Sequence, residues 1–314
     1  MGIRKLSPAS ILKRLVLLPR SFNLIFARSR ETGSSGIRIS YLGEGESFAY
    51  IQDMLAAGDF ELVSRAFPLW GILKIVRQSR ESREWLCVEI NRLLLPFLPR
   101  QRFLTFPWLR QRIFLDSAEY RRRRRKIEDG FGRKVRKYGY SFRFVHDAGS
   151  VKCFYERLYL PHIKARFGNE CHARTLPELL KAVQKGFLLQ VWRGDLWIAG
   201  VVCGISRNEI SARAFGHLPE AEYSLRLGAM SAAYYGLLGY AGRNSFSCVD
   251  LIRSRPDTRD GVYGHKRRWG AIPHIDNWPH TAILLFPPQR MPVPEPFESL
   301  LLWDGQAFRE MGKI

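Results

Sequence analysis

Acidic residues are scarce relative to basic ones. Asp and Glu number 29 against 50 Lys and Arg, a net charge of +21 at pH 7 over 314 residues. Cysteine is scarcer still: Cys87, Cys153, Cys171, Cys203 and Cys248 lie far apart and build neither a disulfide framework nor a C-x-x-C metal site. Thiols in that pattern suit a reducing interior, so a cytoplasmic location is expected. No uncharged apolar run reaches the ~18 residues of a spanning helix, which argues against an integral membrane protein. The seven histidines are dispersed, so no metal centre is expected. Absent too are a G-x-x-x-x-G-K-[ST] phosphate loop, H-E-x-x-H, a G-x-S-x-G elbow, and a G-x-G-x-x-G after a strand. Kinase, zinc hydrolase and dinucleotide oxidoreductase chemistry are disfavoured accordingly.

Apolar surface is plentiful. At 46% hydrophobic and 13% aromatic the chain is no disordered basic tail. Its length fits two domains, or one elaborated domain, at roughly 150 residues each. The charge is unevenly spread: residues 1–150 hold 29 basic and 14 acidic groups (+15), and residues 151–314 hold 21 and 15 (+6). Much of the excess lies in the run Arg121 to Lys126, followed by Arg133, Lys134, Arg136 and Lys137. Such a patch attracts phosphate in RNA, DNA or anionic lipid; a solvated helix face is the plainer reading.

Residues 1–32 form a basic segment interleaved with apolar residues and interrupted by Pro19, expected either to lie on a membrane surface or to dock on the core. Gly33 to Gly36 is a flexible link. Residues 37–42 alternate as a strand, 47–57 read as a short helix, and 60–98 as helices and short strands. A helix capped by Ser117 is expected over 117–139, broken or kinked at Gly130 and Gly132. A strand at 140–145, a helix at 151–167 bent at Pro161 and a helix at 176–185 ended by Gly186 come next. Strands at 187–192 and 197–206 flank the Arg193-Gly194-Asp195 turn, and a third strand covers 209–216. A small-residue helix at 226–239, a strand at 246–252, a short helix or turn at 262–269 and a last strand at 282–286 complete the order; a proline-rich irregular tail follows. Strands precede helices in a mixed order, so the class is α+β or α/β with a mixed, largely antiparallel sheet.

Chemistry concentrates between Ser224 and Gly270. Arg226, Gly228 and Ala229 open a helix whose backbone N–H groups can face an anion. A buried strand holding Asp250 follows, then Ser254-Arg255-Pro256, then Asp260-Gly261-Val262-Tyr263-Gly264-His265-Lys266-Arg267-Arg268-Trp269-Gly270. This order resembles the GNAT acyltransferase superfamily in its Fem-like branch. Asp260-Gly261-Val262, Lys266 and Trp269-Gly270 match its D-G-V-x-x-x-K-x-x-W-G element, and Ser254-Arg255-Pro256 matches the loop before it. Phe154-Tyr155 with Gly168, the strand Leu188 to Trp192, and Ala199-Gly200 fit in order, so the resemblance covers residues 140–275. Two positions depart from it: Ile252 stands where the family often has glycine after the strand Asp, and the pyrophosphate loop is only loosely echoed by Arg226, Gly228 and Ala229.

The resemblance implies a GNAT-like domain at 116–290, a short, degenerate GNAT-like half at 33–115, and the tail 291–314. It implies transfer of an acyl group to an amine or hydroxyl, with acyl-CoA as co-substrate and no bound cofactor or metal. The acceptor would be a small molecule or cell-envelope precursor. Asp250, Asp260 and Lys266 would be catalytic; Arg255, Tyr263, His265 and Trp269 would bind substrate; Arg226, Gly228 and Ala229 would bind the donor. Each also has a plain reading: Asp260-Gly261 as a turn, Trp269 as core, Lys266 as a partner of Asp250. Two alternatives stand. One is an aminoacyl-tRNA-dependent transferase. The other is a non-catalytic adaptor, peripheral to the membrane or bound to nucleic acid through Arg121, Arg122, Arg123, Arg124 and Arg125.

Overall fold

The computed structural model describes residues 23–29, 38–43, 48, 52, 60–68, 71–81, 84–100, 102–167, 173–218, 228–276, 281–288 and 292–314. In chain order come β1 (Asn23–Ser29), β2 (Arg38–Gly43), β3 (Phe60–Pro68), α1 (Ile72–Glu81), β4 (Glu84–Asn91), β5 (Phe103–Thr105), β6 (Leu109–Phe114), α2 (Ala118–Ile127), α3 (Arg133–Lys137) and β7 (Tyr140–Val145). They continue as α4 (Ala148–Phe154), α5 (Leu160–Phe167), α6 (Leu176–Val183), β8 (Gly186–Arg193), β9 (Leu196–Ser206), β10 (Glu209–His217), α7 (Ala229–Arg243) and β11 (Cys248–Ser254). The last are α8 (Gly261–Arg268), β12 (Ile272–Ile275), β13 (Thr281–Phe286), α9 (Glu295–Glu298), β14 (Leu301–Trp303) and β15 (Phe308–Glu310). They fall into two compact units, one within 1–109, 254–263 and 275–314, the other within 110–253 and 264–274.

The first unit is built on a six-stranded sheet in the order β3-β1-β2-β4-β13-β5. Strand β4 is buried on both faces and reads as an apolar run, as a covered strand should. Leu86, Val88 and Ile90 pack with Leu284, Phe286 and the α1 residues Ile72 and Val76. Trp85 and Cys87 pack with Ile283, Leu285, Phe297, Leu300 and Met311. Its one buried acid, Glu89, accepts a 2.6 Å hydrogen bond from the Tyr41 hydroxyl.

Three expectations are corrected here. Residues 23–29 form a sheet strand with Phe26 and Ala27 buried, because β2 and β3 satisfy its backbone on both edges. The strand at 281–286 belongs to the first unit and pairs with β4 and β5, so 116–290 is not one continuous domain. The tail is not irregular: β14 and β15 form a hairpin, and Phe297, Leu300 and Met311 are core residues. Of the short helix expected at 47–57, all but residues 48 and 52 lies outside the described residues.

The second unit holds the sheet β12-β6-β11-β10-β9-β8-β7, antiparallel from β7 to β10 and parallel between β10 and β11. This is the mixed, largely antiparallel architecture expected, with hairpin, small-residue helix and Asp-bearing strand in the expected order. Helix α7 covers one face through Ala229, Ala232, Ala233 and Leu237. Its small residues allow close approach: a Cβ on Gly236 would sit 2.6 Å from the Phe142 ring. The opposite face is covered by Val151, Phe154, Leu179 and Val183 of α4 and α6 against Leu188, Val202 and Ala214. Two interior π-helical turns were not foreseen. Glu128–Gly132 replaces a break between α2 and α3, and Tyr155–Tyr159 precedes Pro161 between α4 and α5. Gly186 begins β8 instead of capping α6; a Cβ there would meet the Cys203 carbonyl at 2.0 Å.

Candidate active site

Strands β10 and β11 pair only at Glu209 with Cys248, Ile210 with Val249, and Ser211 with Asp250. Among the described residues the two strands share no further pair, although β10 runs on to His217 and β11 to Ser254. Ile252 marks the parting. Its φ of +56° lies in the left-handed region, an outlier for a β-branched residue. Such a residue cannot continue a regular ladder, and pairing stops two residues before it. The Asp250 Oδ1 accepts a 2.8 Å hydrogen bond from the Ile252 N–H, which holds the bend. Downstream of β10, α7 opens after Gly228 at φ +84°, whose carbonyl accepts the Ala232 N–H at 2.8 Å.

The expected site residues divide between the units. Asp250 (fully buried), Gly228, Ala229, His265, Lys266 and Trp269 lie in the second; Arg255, Asp260 and Tyr263 lie in the first. Arg226 lies outside the described residues. Asp250 is not an open base. Its Oδ2 is ion-paired with Arg110 and lies 4.0 Å from Arg112 Nε. Burial pushes its carboxyl above the ordinary carboxylate value, while Arg110 and the Ile252 amide pull the other way. The Lys266 Nζ, almost wholly enclosed, donates to the Arg253 carbonyl at 2.6 Å. That bond ties α8 to the end of β11.

Asp260 Oδ1 accepts the Tyr263 N–H at 2.7 Å, capping the first turn of α8. Tyr263 is buried beside Phe106 and Leu109. Trp269 is fully buried, stacked on Phe131 at 4.2 Å and on Tyr234 at 5.4 Å. Its indole N–H donates to His265 Nε2 at 3.3 Å, so the acceptor nitrogen of that imidazole is engaged. Ala229 is buried under the sheet, leaving Gly228 to shape the start of α7. Arg255 is half-buried.

A polar ladder went unnoticed in the sequence. Strand β6 alternates, with Leu109, Gln111 and Ile113 buried and Arg110, Arg112 and Phe114 half-buried. Arg110 pairs with Asp250, and Arg112 pairs with Glu209. His274 on β12 sits against Phe114, edge-on at 5.4 Å, and its buried Nε2 makes no hydrogen bond. Burial, and then Arg112, push the His274 imidazole below its ordinary value, with Asp250 opposing. The period-two pattern Arg110-Gln111-Arg112 was the available signal; the partners on β10, β11 and β12 were not.

No protein-family model matches the sequence, and no curated protein matches it. Solved structures do. L-PGS from Bacillus licheniformis is 12% identical with a TM-score of 0.43, covering 86% of this chain and 82% of that one. FemX is 11% identical with a TM-score of 0.41, covering 84% and 83%. A GCN5-related N-acetyltransferase from Sphaerobacter thermophilus is 13% identical with a TM-score of 0.35, covering 89% and 84%. At these scores the likenesses say nothing of activity, and the architecture stands on its own strand order.

Proposed function

We propose that the chain is an acyltransferase of the GNAT and Fem-like type, moving an acyl group from a thioester donor, acyl-CoA, to an amine or hydroxyl. The observation that supports this reading is the parting of β10 from β11 after three shared pairs, just ahead of α7. Main-chain N–H and C=O groups on the facing edges of separating strands need partners. An extended donor arm rich in amides supplies them by strand addition, and the opening turn of α7 offers N–H groups to its phosphates. Alignment of donor and acceptor then does much of the work. The acceptor nitrogen or oxygen attacks the thioester carbonyl, the new C–N or C–O bond forms, the C–S bond breaks, and the acceptor proton ends on the thiol. Lys266 and Asp260 position α8 in this reading, and Asp250 holds the bend at Ile252.

The test is incubation of the full chain with acyl-CoA species, following melting temperature and free thiol release in the presence of amines. A ligand that binds only the folded state raises the melting temperature by mass action. No shift and no thiol release with any acyl-CoA would reject the donor assignment. A second reading, an aminoacyl-tRNA donor, is favoured by one observation: Arg121, Arg122, Arg124, Arg125, Lys126, Arg133, Lys134, Arg136 and Lys137 are all exposed along α2 and α3. It requires tRNA binding whose logarithmic affinity falls linearly with the logarithm of salt.

A further inference from the structure

We propose that a cleft of ≈ 970 Å³ in the second unit binds the phosphoryl group of a ligand through Arg213, Arg174 and the Ser211 hydroxyl. The cleft lies beside α6 and the turn between β9 and β10, and it contains none of the residues assigned to acyl transfer. Its charge is one-sided. The Arg110 charge is taken by Asp250, Glu209 by Arg112, and Glu178 lies 3.6 Å from Arg174 while also accepting the Thr175 N–H. Among the described residues Lys181, Lys185, Arg207 and Arg213 enter no salt bridge, yet all four line the cleft. That surplus calls for a multiply charged anion, and a phosphoryl group brings close to two charges and three acceptor oxygens.

The geometry is specific. Arg213 is the extra residue of a β-bulge: Ala212 faces Cys203 and Ala214 faces Val202, with nothing opposite residue 213. A bulge re-aims its side chain. The guanidinium lies over Gly204, where a Cβ would be 3.5 Å from its Nε; the missing side chain leaves the cleft its floor. Arg174 is anchored alongside, its Nε donating to the Arg213 carbonyl at 3.1 Å. Burial, then Arg174 and Arg110, make it harder for Arg213 to hold its proton, with Asp250 and Glu209 opposing. Ser211 is 7% exposed, and its Oγ has no hydrogen-bond partner. A buried hydroxyl without a partner is rare in a folded protein and asks for one. Lys181 on α6 and Lys185, two residues past its end, both line the cleft.

The test is calorimetric titration of the full chain with inorganic pyrophosphate at constant ionic strength. Saturable 1:1 binding is expected, weakened about tenfold in Ser211→Ala and in Lys181→Met. Arg213→Met should abolish it, and Gly204→Leu should block it by filling the floor. If Arg213→Met fails to fold, the exposed Lys181 and the small Ser211→Ala change still decide the matter. Vesicles of phosphatidylglycerol that displace pyrophosphate would make the phosphoryl source a lipid headgroup; vesicles that do not would make it a soluble molecule. No saturable binding overturns the proposal. So does binding unchanged in Ser211→Ala and Lys181→Met but lost when Arg121, Arg124 and Lys126 on α2 are neutralised.

Discussion

Asp250 shows how one buried group can organise its surroundings. Its carboxylate joins β11 to β6 through Arg110 and holds the left-handed Ile252 through the Ile252 N–H. Removing one member of a buried pair strands the other, so Arg110→Met should cost about 3–5 kcal/mol in urea unfolding. The double variant with Asp250→Asn should recover part of that loss, and purely additive costs would refute the coupling. Ile252→Gly should stabilise the chain by about 1 kcal/mol, because glycine carries no Cβ penalty at φ +56°. A loss of similar size would show that the isoleucine side chain matters more than the strain. His274 predicts a pH dependence. Its folded value lies below its unfolded one of ~6.5, so the unfolded chain binds more protons between the two. Stability should therefore rise with pH through that window and level off above it; His274→Gln should flatten the curve. An unchanged slope in the variant would assign it to another group.

At the scale of elements, α8 separates capping from catalysis. Asp260→Ala should cost about 0.5–2 kcal/mol through the lost cap, whereas Asp260→Asn should keep the cap and the stability. Thiol release that survives Asp260→Asn would remove Asp260 from the chemistry. Along α2, local signals were legible: Ser117 accepts the Tyr120 N–H at 3.1 Å, as its position before Glu119 predicted. The basic run is partly compensated within the helix. Glu119 pairs with Arg122 and Arg123, and Glu128 with Arg136, in pairs that are exposed or nearly so and that solvent screens. The π-helical turn at Glu128–Gly132 was not legible. Gly130 and Gly132 pointed to a break, but whether glycine breaks a helix or only widens it depends on what packs there. In the second unit Phe131 stacks on Trp269, and that contact keeps the helix continuous.

For the molecule as a whole, the charge of +21 resolves into distinct surfaces: an exposed basic helix pair and a cleft with four uncompensated cations. Neither includes a residue of the Asp250 to Trp269 stretch. Among the described residues no helix is long and apolar enough to cross a membrane. The tail supplies a further prediction. Deleting residues 292–314 would uncover Trp85, Cys87, Ile283 and Leu285, against which Phe297, Leu300 and Met311 pack. The truncated chain should lose its cooperative thermal transition in the first unit and expose dye-binding apolar surface; a full-strength transition would return the tail to the status of an appendage.

By itself the sequence determined what is local: the β8–β9 turn, the cap at Ser117, the apolar run of β9, the small-residue face of α7 and the order of elements from 140 to 275. Periodicity, turn chemistry and capping act over a few residues and can be read in place. Only the tertiary structure decided that β13 completes the sheet of β4 and β5, that Arg110 meets Asp250 across 140 positions, and that Arg213 turns outward on a bulge over Gly204. Strand pairing is a contact between segments far apart in the chain. Which edges meet is settled by burying many side chains at once, and no single segment records that outcome.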